Sequence, residues 1–96
     1  MSRERRIEKA AIKQFEKERI EMLKKCDVAE MRNFVNSHKE YYTSHFVREI
    51  NNASETMAAI VLHQTIVANK RLSIDDRLAS AIWLRVHIYG ERLDRW

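Results

Sequence analysis

The clearest fold signal in the chain is residues 73–90, which read SIDDRLASAIWLRVHIYG. Ser73 and Asp76 have the spacing of a helix capping box, with Asp in the place of the usual Glu. Gly90 stands where a helix commonly ends in the left-handed backbone conformation. The stretch therefore predicts a helix that begins after Ser73 and ends at Tyr89.

The composition of the whole chain favours the same structure. Gly90 is the single glycine among 96 residues, and there is no proline. A fold of several strands needs turns, and turns usually use those two residue types. We therefore predict an all-α fold without a sheet, as one helical domain over residues 1–96.

Two long helices are predicted in the N-terminal half. The first covers about residues 3–25. The second begins at Asp27, which has capping-box spacing to Glu30, and continues to about Ile50. Both are amphipathic, because their apolar residues recur at intervals of three and four.

A shorter and more apolar helix is predicted over about residues 53–69, where apolar side chains surround most of the circumference. Asn51 and Asn52 either separate it from the second helix or mark a kink in one longer helix. The fold expected is thus a compact bundle of about four helices, two long N-terminal and two shorter C-terminal, with a short tail over residues 91–96. Its core should lie in the second half of the chain.

The first helix carries the whole excess of positive charge. Residues 1–25 contain nine basic and five acidic side chains, whereas the remainder of the chain is balanced. A core stripe is predicted along one side of this helix, with Ile12 and Leu23 at its margin and these members: Ile7, Ala11, Phe15, Met22 and Cys26. The opposite side is called here the basic face, and it comprises Arg5, Arg6, Lys9, Lys13, Lys17 and Lys24, with Ile20 in its middle.

Two interpretations of the basic face remain open. It is either an ordinary solvated surface, on which pairs such as Lys13–Glu16 and Glu16–Arg19 offset the repulsion, or a docking face with Ile20 as an apolar anchor. Glu4 and Glu8 fall on the core side of the helix, and an ionised carboxylate is costly to bury. The first two turns are therefore expected to project past the bundle.

The residues that could support chemistry form no complete set. His45 and Glu49 have the i,i+4 spacing of metal ligands, but a zinc site needs three or four protein ligands. Cys26 has neither a base nor an oxyanion site nearby in the sequence, so we interpret it as a small core residue. We expect no enzyme activity, no metal site and no cofactor.

The tail contains a terminal tryptophan, Trp96, which is costly to leave exposed. It is expected either to fold back onto the bundle or to enter a pocket of a partner. Residues 56–69 are the longest uncharged apolar run, and they are too short to span a bilayer. With one cysteine and no recognisable leader, the protein is expected to be cytoplasmic and not to bind a membrane.

The function expected from these features is non-enzymatic binding of a macromolecule, most readily a protein with an acidic surface, which is thereby modulated or inhibited. Small helical chains without catalytic residues act, by analogy, as inhibitors, adaptors or phage-encoded anti-defence factors. The alternative is sequence-independent binding of RNA or DNA through the basic face, which has cations but no group that reads a base. A homodimer is also left open.

Overall fold

The computed structural model describes the backbone of residues 2–90 and the side chains of residues 8–90. Five α-helices make up this part of the chain, which contains no strand, so the predicted all-α fold is confirmed. No helix within it is long and apolar enough to cross a membrane. The helices are α1 (Ser2–Lys25), α2 (Val28–Ser37), α3 (Ser44–Asn52), α4 (Glu55–Ala68) and α5 (Ile74–Tyr89).

The predicted caps set the ends of two helices. The side chain of Asp27 accepts a hydrogen bond from the backbone N–H of Glu30 over 3.1 Å, which starts α2. Ser73 Oγ accepts one from the N–H of Asp76, also over 3.1 Å, which starts α5. Gly90 ends α5 with φ of 68°, a left-handed conformation that glycine adopts without steric cost.

The single helix predicted from Asp27 to about Ile50 is wrong. It divides into α2 and α3 around a short 3₁₀ turn over Lys39–Tyr41. Thr43 caps α3 by accepting a hydrogen bond from the N–H of Phe46. The break lets the ring of Tyr41 stack on Phe15 of α1, with ring centres 4.1 Å apart, a contact between distant positions that a helical pattern does not reveal.

The predicted second and third helices are separate, not one kinked helix. The helix α3 ends at Asn52, and Ser54 caps α4 by accepting a hydrogen bond from the N–H of Met57. Arg32 of α2 holds this joint together. Its guanidinium donates hydrogen bonds to the carbonyl oxygens of Ile50 (3.3 Å) and Ala53 (2.7 Å) and pairs with Glu55.

The core is formed by residues of the first four helices and by Leu72 of the α4–α5 turn, so it is not confined to the second half of the chain, where the apolar composition placed it. The helix α5 packs along α4, where the Arg77 side chain donates a hydrogen bond to the carbonyl of Val67. Even so, Ser80 is the one buried residue of α5. The buried cluster consists of Met22, Leu23, Met31, Val35, Ile50, Ala58, Leu62, Ile66 and Leu72.

Candidate interaction surface on α1

The first half of α1 extends beyond the bundle. Every described side chain from Glu8 to Gln14 is exposed, and Phe15 is the first buried residue. The expectation that Glu8 avoids burial is therefore confirmed, whereas the side chain of Glu4 lies outside the described residues. The exposed side chains of residues 8–14 are therefore accessible to another molecule over about two turns of the helix.

The lysines of the basic face remain largely unpaired. Lys9, Lys13 and Lys17 are exposed, and none of them has an ion pair within the described residues. Lys24 lies 3.6 Å from Glu21. The side chains of Arg5 and Arg6, and the whole of Trp96, lie outside the described residues.

Of the two ion pairs predicted for Glu16, one is formed. Glu16 contacts Arg19 over 3.6 Å, as predicted, but its second partner is Arg71, at 3.2 Å. Lys13 consequently forms no ion pair with a carboxylate in the described part of the chain. Arg71 belongs to the turn between α4 and α5, which the fold brings against α1.

Ile20 is not an exposed anchor in the middle of the basic face. It is half-buried and packs against the core, because α1 is rotated relative to the predicted orientation. Leu23, placed at the margin, is among the most deeply buried residues at 1% exposure. Ala11 and Cys26, placed in the core stripe, are both exposed.

An open groove of about 570 Å³ lies between α1 and the α4–α5 turn. It is called here the basic groove, and it is lined by Ile12, Lys13, Glu16, Lys17, Ile20 and Arg71. Two isoleucines supply apolar surface, and Ile12 is 50% exposed. Three cations surround a single carboxylate, which Arg71 and Arg19 already engage.

The positive surface continues past the groove along the α4–α5 turn. A neighbouring pocket shares Glu16 and Arg71 with the basic groove and adds Arg19 and Lys70. The sequence interpretation missed Lys70 and Arg71 because more than fifty positions separate them from Lys13. Their only local signal is the pair of adjacent cations in NKR, residues 69–71.

A second cluster surrounds Cys26, which the sequence analysis wrongly placed in the core. Cys26 is an exposed residue at the end of α1, where the backbone has φ of 50°, but neighbouring residues cover part of its thiol. Its Sγ lies 4.0 Å from both ring nitrogens of His63. His63 Nδ1 shares a hydrogen bond of 2.9 Å with Ser80 Oγ, and the ring stacks on Trp83.

This cluster is poorly arranged for thiol catalysis. Burial raises the pKa of the Cys26 thiol, and the carboxylates of Asp76 and Asp27 raise it further. Burial also lowers the pKa of His63, with a smaller contribution from His87. Both groups are therefore neutral at pH 7, whereas a nucleophilic cysteine acts as a thiolate.

The pair with the spacing of metal ligands, His45 and Glu49, has no further ligand beside it among the described residues. His45 Nε2 lies 3.6 Å from Glu49, and both side chains are exposed. Among the described residues, no three His, Cys, Asp or Glu side chains converge on a point where a metal ion could bind.

Comparison with known proteins gives no family from which a function could be transferred. The chain matches no protein-family model, no curated protein and no solved structure.

Proposed function

We propose that the protein is a non-enzymatic binding protein that holds an acidic, amphipathic helix of a protein partner in the basic groove and thereby modulates or inhibits that partner. The observation that carries the proposal is the combination of exposed apolar surface at Ile12 with the cations Lys13, Lys17 and Arg71. An amphipathic helix binds a groove through apolar anchors, and carboxylates beside those anchors would meet the cations.

A protein partner suits the groove better than a nucleic acid. The phosphate backbone would use the cations but would gain nothing from the exposed side chain of Ile12. Single-stranded nucleic acids also stack their bases on aromatic rings. The one aromatic residue of α1 is Phe15, which is buried.

The test measures binding of three labelled probes by fluorescence anisotropy. The first probe is a designed helix with leucines at i, i+3, i+4 and i+7 and glutamates beside them. The second is a scrambled peptide of identical composition, and the third is a random-sequence RNA oligonucleotide. We expect the designed helix to bind more tightly than the scrambled peptide, because only the helix presents its apolar and acidic groups together.

Matched charge reversals locate the binding site. The double variant Lys13→Glu, Lys17→Glu should weaken binding of the designed helix by about tenfold, since two attractive contacts become repulsive. The control is Lys39→Glu, Arg48→Glu, which makes the same change in net charge at exposed positions of other elements. Equal weakening by both variants would show a long-range charge effect and would contradict a site in the groove.

A third variant separates protein from nucleic-acid binding. Ile12→Ser should weaken binding of the designed helix and leave RNA binding unchanged, because phosphates bind the cations and gain no favourable contact from an apolar side chain. Equal affinity for the helical and scrambled peptides would contradict the proposal. Tight RNA binding with a slope of about −0.7 in log affinity against log salt per contacted phosphate would instead favour the alternative function.

A further inference from the structure

The helix α5 presents large apolar side chains to solvent on the side away from α4. Ile74 is 76% exposed, Leu78 is 55% exposed and Tyr89 is 73% exposed. Ile88 of the same helix is exposed as well. Monomeric soluble proteins rarely leave a continuous apolar strip of this extent uncovered, and such strips mark binding surfaces.

Four exposed residues of α5, together with the half-buried Ala81, follow the spacing of a coiled coil. A stripe along α5, called here the α5 seam, consists of Ile74, Leu78, Ala81, Arg85 and Ile88. Successive members are four, three, four and three positions apart, which is the alternation of the a and d positions of a heptad. A second helix can therefore pack along the seam with its side chains interlocked.

The opposite side of α5 is already occupied. Ser80 shares a hydrogen bond with His63 of α4, and Trp83 stacks on the ring of His63 at 4.1 Å between ring centres. These contacts fix the rotation of α5 about its own axis. The α5 seam consequently faces outward as a fixed surface.

The two ends of α5 carry opposite charges, so two copies of the helix are electrostatically complementary only when they run antiparallel. Asp75 and Asp76 lie in the first turn, whereas Arg85 lies near the other end. A copy of the helix in the antiparallel direction would place its basic end beside the acidic end of the first. A parallel copy would place like charges together.

We propose that the α5 seam is the interface of a homodimer, in which α5 packs antiparallel on α5 of a second copy of this chain. Pairing a with d positions places Leu78 against Ala81 of the second copy, a large side chain against a small one. The same register sets Ile74 against the aliphatic part of Arg85 of the second copy and brings Asp75 beside its guanidinium. Two-fold symmetry repeats each contact.

The size of the seam predicts a weak dimer. In this register residues 74–85 of the two copies overlap, so the two helices form a contact about 18 Å long, which is at the small end of specific protein interfaces. A dissociation constant in the micromolar range is therefore expected. The dimer does not depend on the basic groove, so the groove variants should dimerise like the unmodified protein.

The first test is the oligomeric state by sedimentation equilibrium from about 1 µM to about 500 µM. The unmodified chain should pass from monomer to dimer over this range. Leu78→Lys should weaken dimerisation at least about tenfold, because it places a charge in the seam. The control Met57→Lys replaces an apolar residue of nearly equal exposure, 54%, on α4 and should leave the dimer intact.

The second test fixes the orientation by disulfide formation in a Cys26→Ser background. A mixture of the Ile74→Cys and Arg85→Cys proteins should form a disulfide between the two chains under mild oxidation. Ile74→Cys alone should not, because the two copies of position 74 would lie at opposite ends of an antiparallel contact. Efficient linkage of Ile74→Cys to itself would contradict the antiparallel register.

A monomer at every concentration would overturn the proposal. In that case the effect of Leu78→Lys on the thermal midpoint identifies what covers the seam. A lowered midpoint would indicate that residues 91–96 of the same chain pack on it. An unchanged midpoint would indicate that a different protein is the occupant.

Discussion

Cys26 and His63 are 37 positions apart in the chain, yet Sγ of Cys26 lies 4.0 Å from both ring nitrogens of His63. A thiol at equal distance from the two nitrogens makes no single directed hydrogen bond, unlike a cysteine that transfers its proton to a base. The pair instead joins the end of α1 to the α4–α5 hairpin. Its two titratable groups nevertheless lead to measurable predictions.

The reactivity of Cys26 should depend on one neighbouring carboxylate. The pKa of the thiol is raised by burial first and by Asp76 second, so little thiolate forms near neutral pH. Asp76→Asn should lower the pKa of the Cys26 thiol and so speed its alkylation by iodoacetamide at pH 8. Mass spectrometry measures the rate of alkylation. Asp75→Asn removes the same charge one position away and should alkylate at the rate of the unmodified protein; equal acceleration by both variants would contradict a specific effect of Asp76.

The stability of the fold should decrease as the pH falls below about 6.5, the ordinary value for histidine. Burial lowers the pKa of His63 in the folded state, so the unfolded chain takes up a proton that the folded chain resists. The free energy of unfolding therefore rises with pH across this window. Three groups face His63 directly: the thiol of Cys26, the hydroxyl of Ser80 and the ring of Trp83. The ring of His87 stacks on the ring of Trp83.

Urea unfolding between about pH 5 and pH 8 measures this dependence. His63→Asn should reduce the slope of stability against pH, whatever its effect on stability at pH 8. His45→Asn alters an exposed histidine and should preserve the slope. If His63→Asn and His45→Asn both kept the slope of the unmodified chain, the pH dependence of the free energy of unfolding would not arise at His63.

The rotation of α1 can be tested by truncating two apolar side chains of similar size. Leu23→Ala should lower the free energy of unfolding by about 2 to 5 kcal/mol, because Leu23 is fully buried in the core cluster. Ile12→Ala should change it by less than about 0.5 kcal/mol, since Ile12 lies on the exposed half of α1. Urea denaturation measures both, and similar losses would place Ile12 in the core after all.

Local signals in the sequence predicted the helix ends better than the orientation of the helices. The caps at Asp27 and Ser73 depend on residues three positions apart, so their chemistry is visible in the sequence. The break between α2 and α3 accompanies the stacking of Tyr41 on Phe15, which joins residues 26 positions apart. A helical pattern contains no information about such a contact.

The basic groove likewise has some features that the sequence predicts and others that only the packing of the helices determines. The exposure of Lys13 and Lys17 follows from the charge pattern of α1 and was predicted. The contribution of Arg71 depends on the path of the α4–α5 turn, and the partial burial of Ile20 depends on how α1 packs against the core cluster. Both are set by packing among the helices, which single-helix periodicity does not determine.

The side chain of Arg32 connects the end of α3 to the start of α4, and we expect the fold to depend on it. It donates to the carbonyl oxygens of Ile50 and Ala53, at the end of a helix where such oxygens lack partners. Arg32→Met should lower the free energy of unfolding by about 1 to 3 kcal/mol, since these acceptors lose their donor. Arg32→Lys should recover only part of the loss, because an ammonium cannot reproduce the planar fork of a guanidinium. Arg48→Met, at an exposed position of α3, should change the urea midpoint little; equal losses for Arg32→Met and Arg48→Met would show that the joint does not need Arg32.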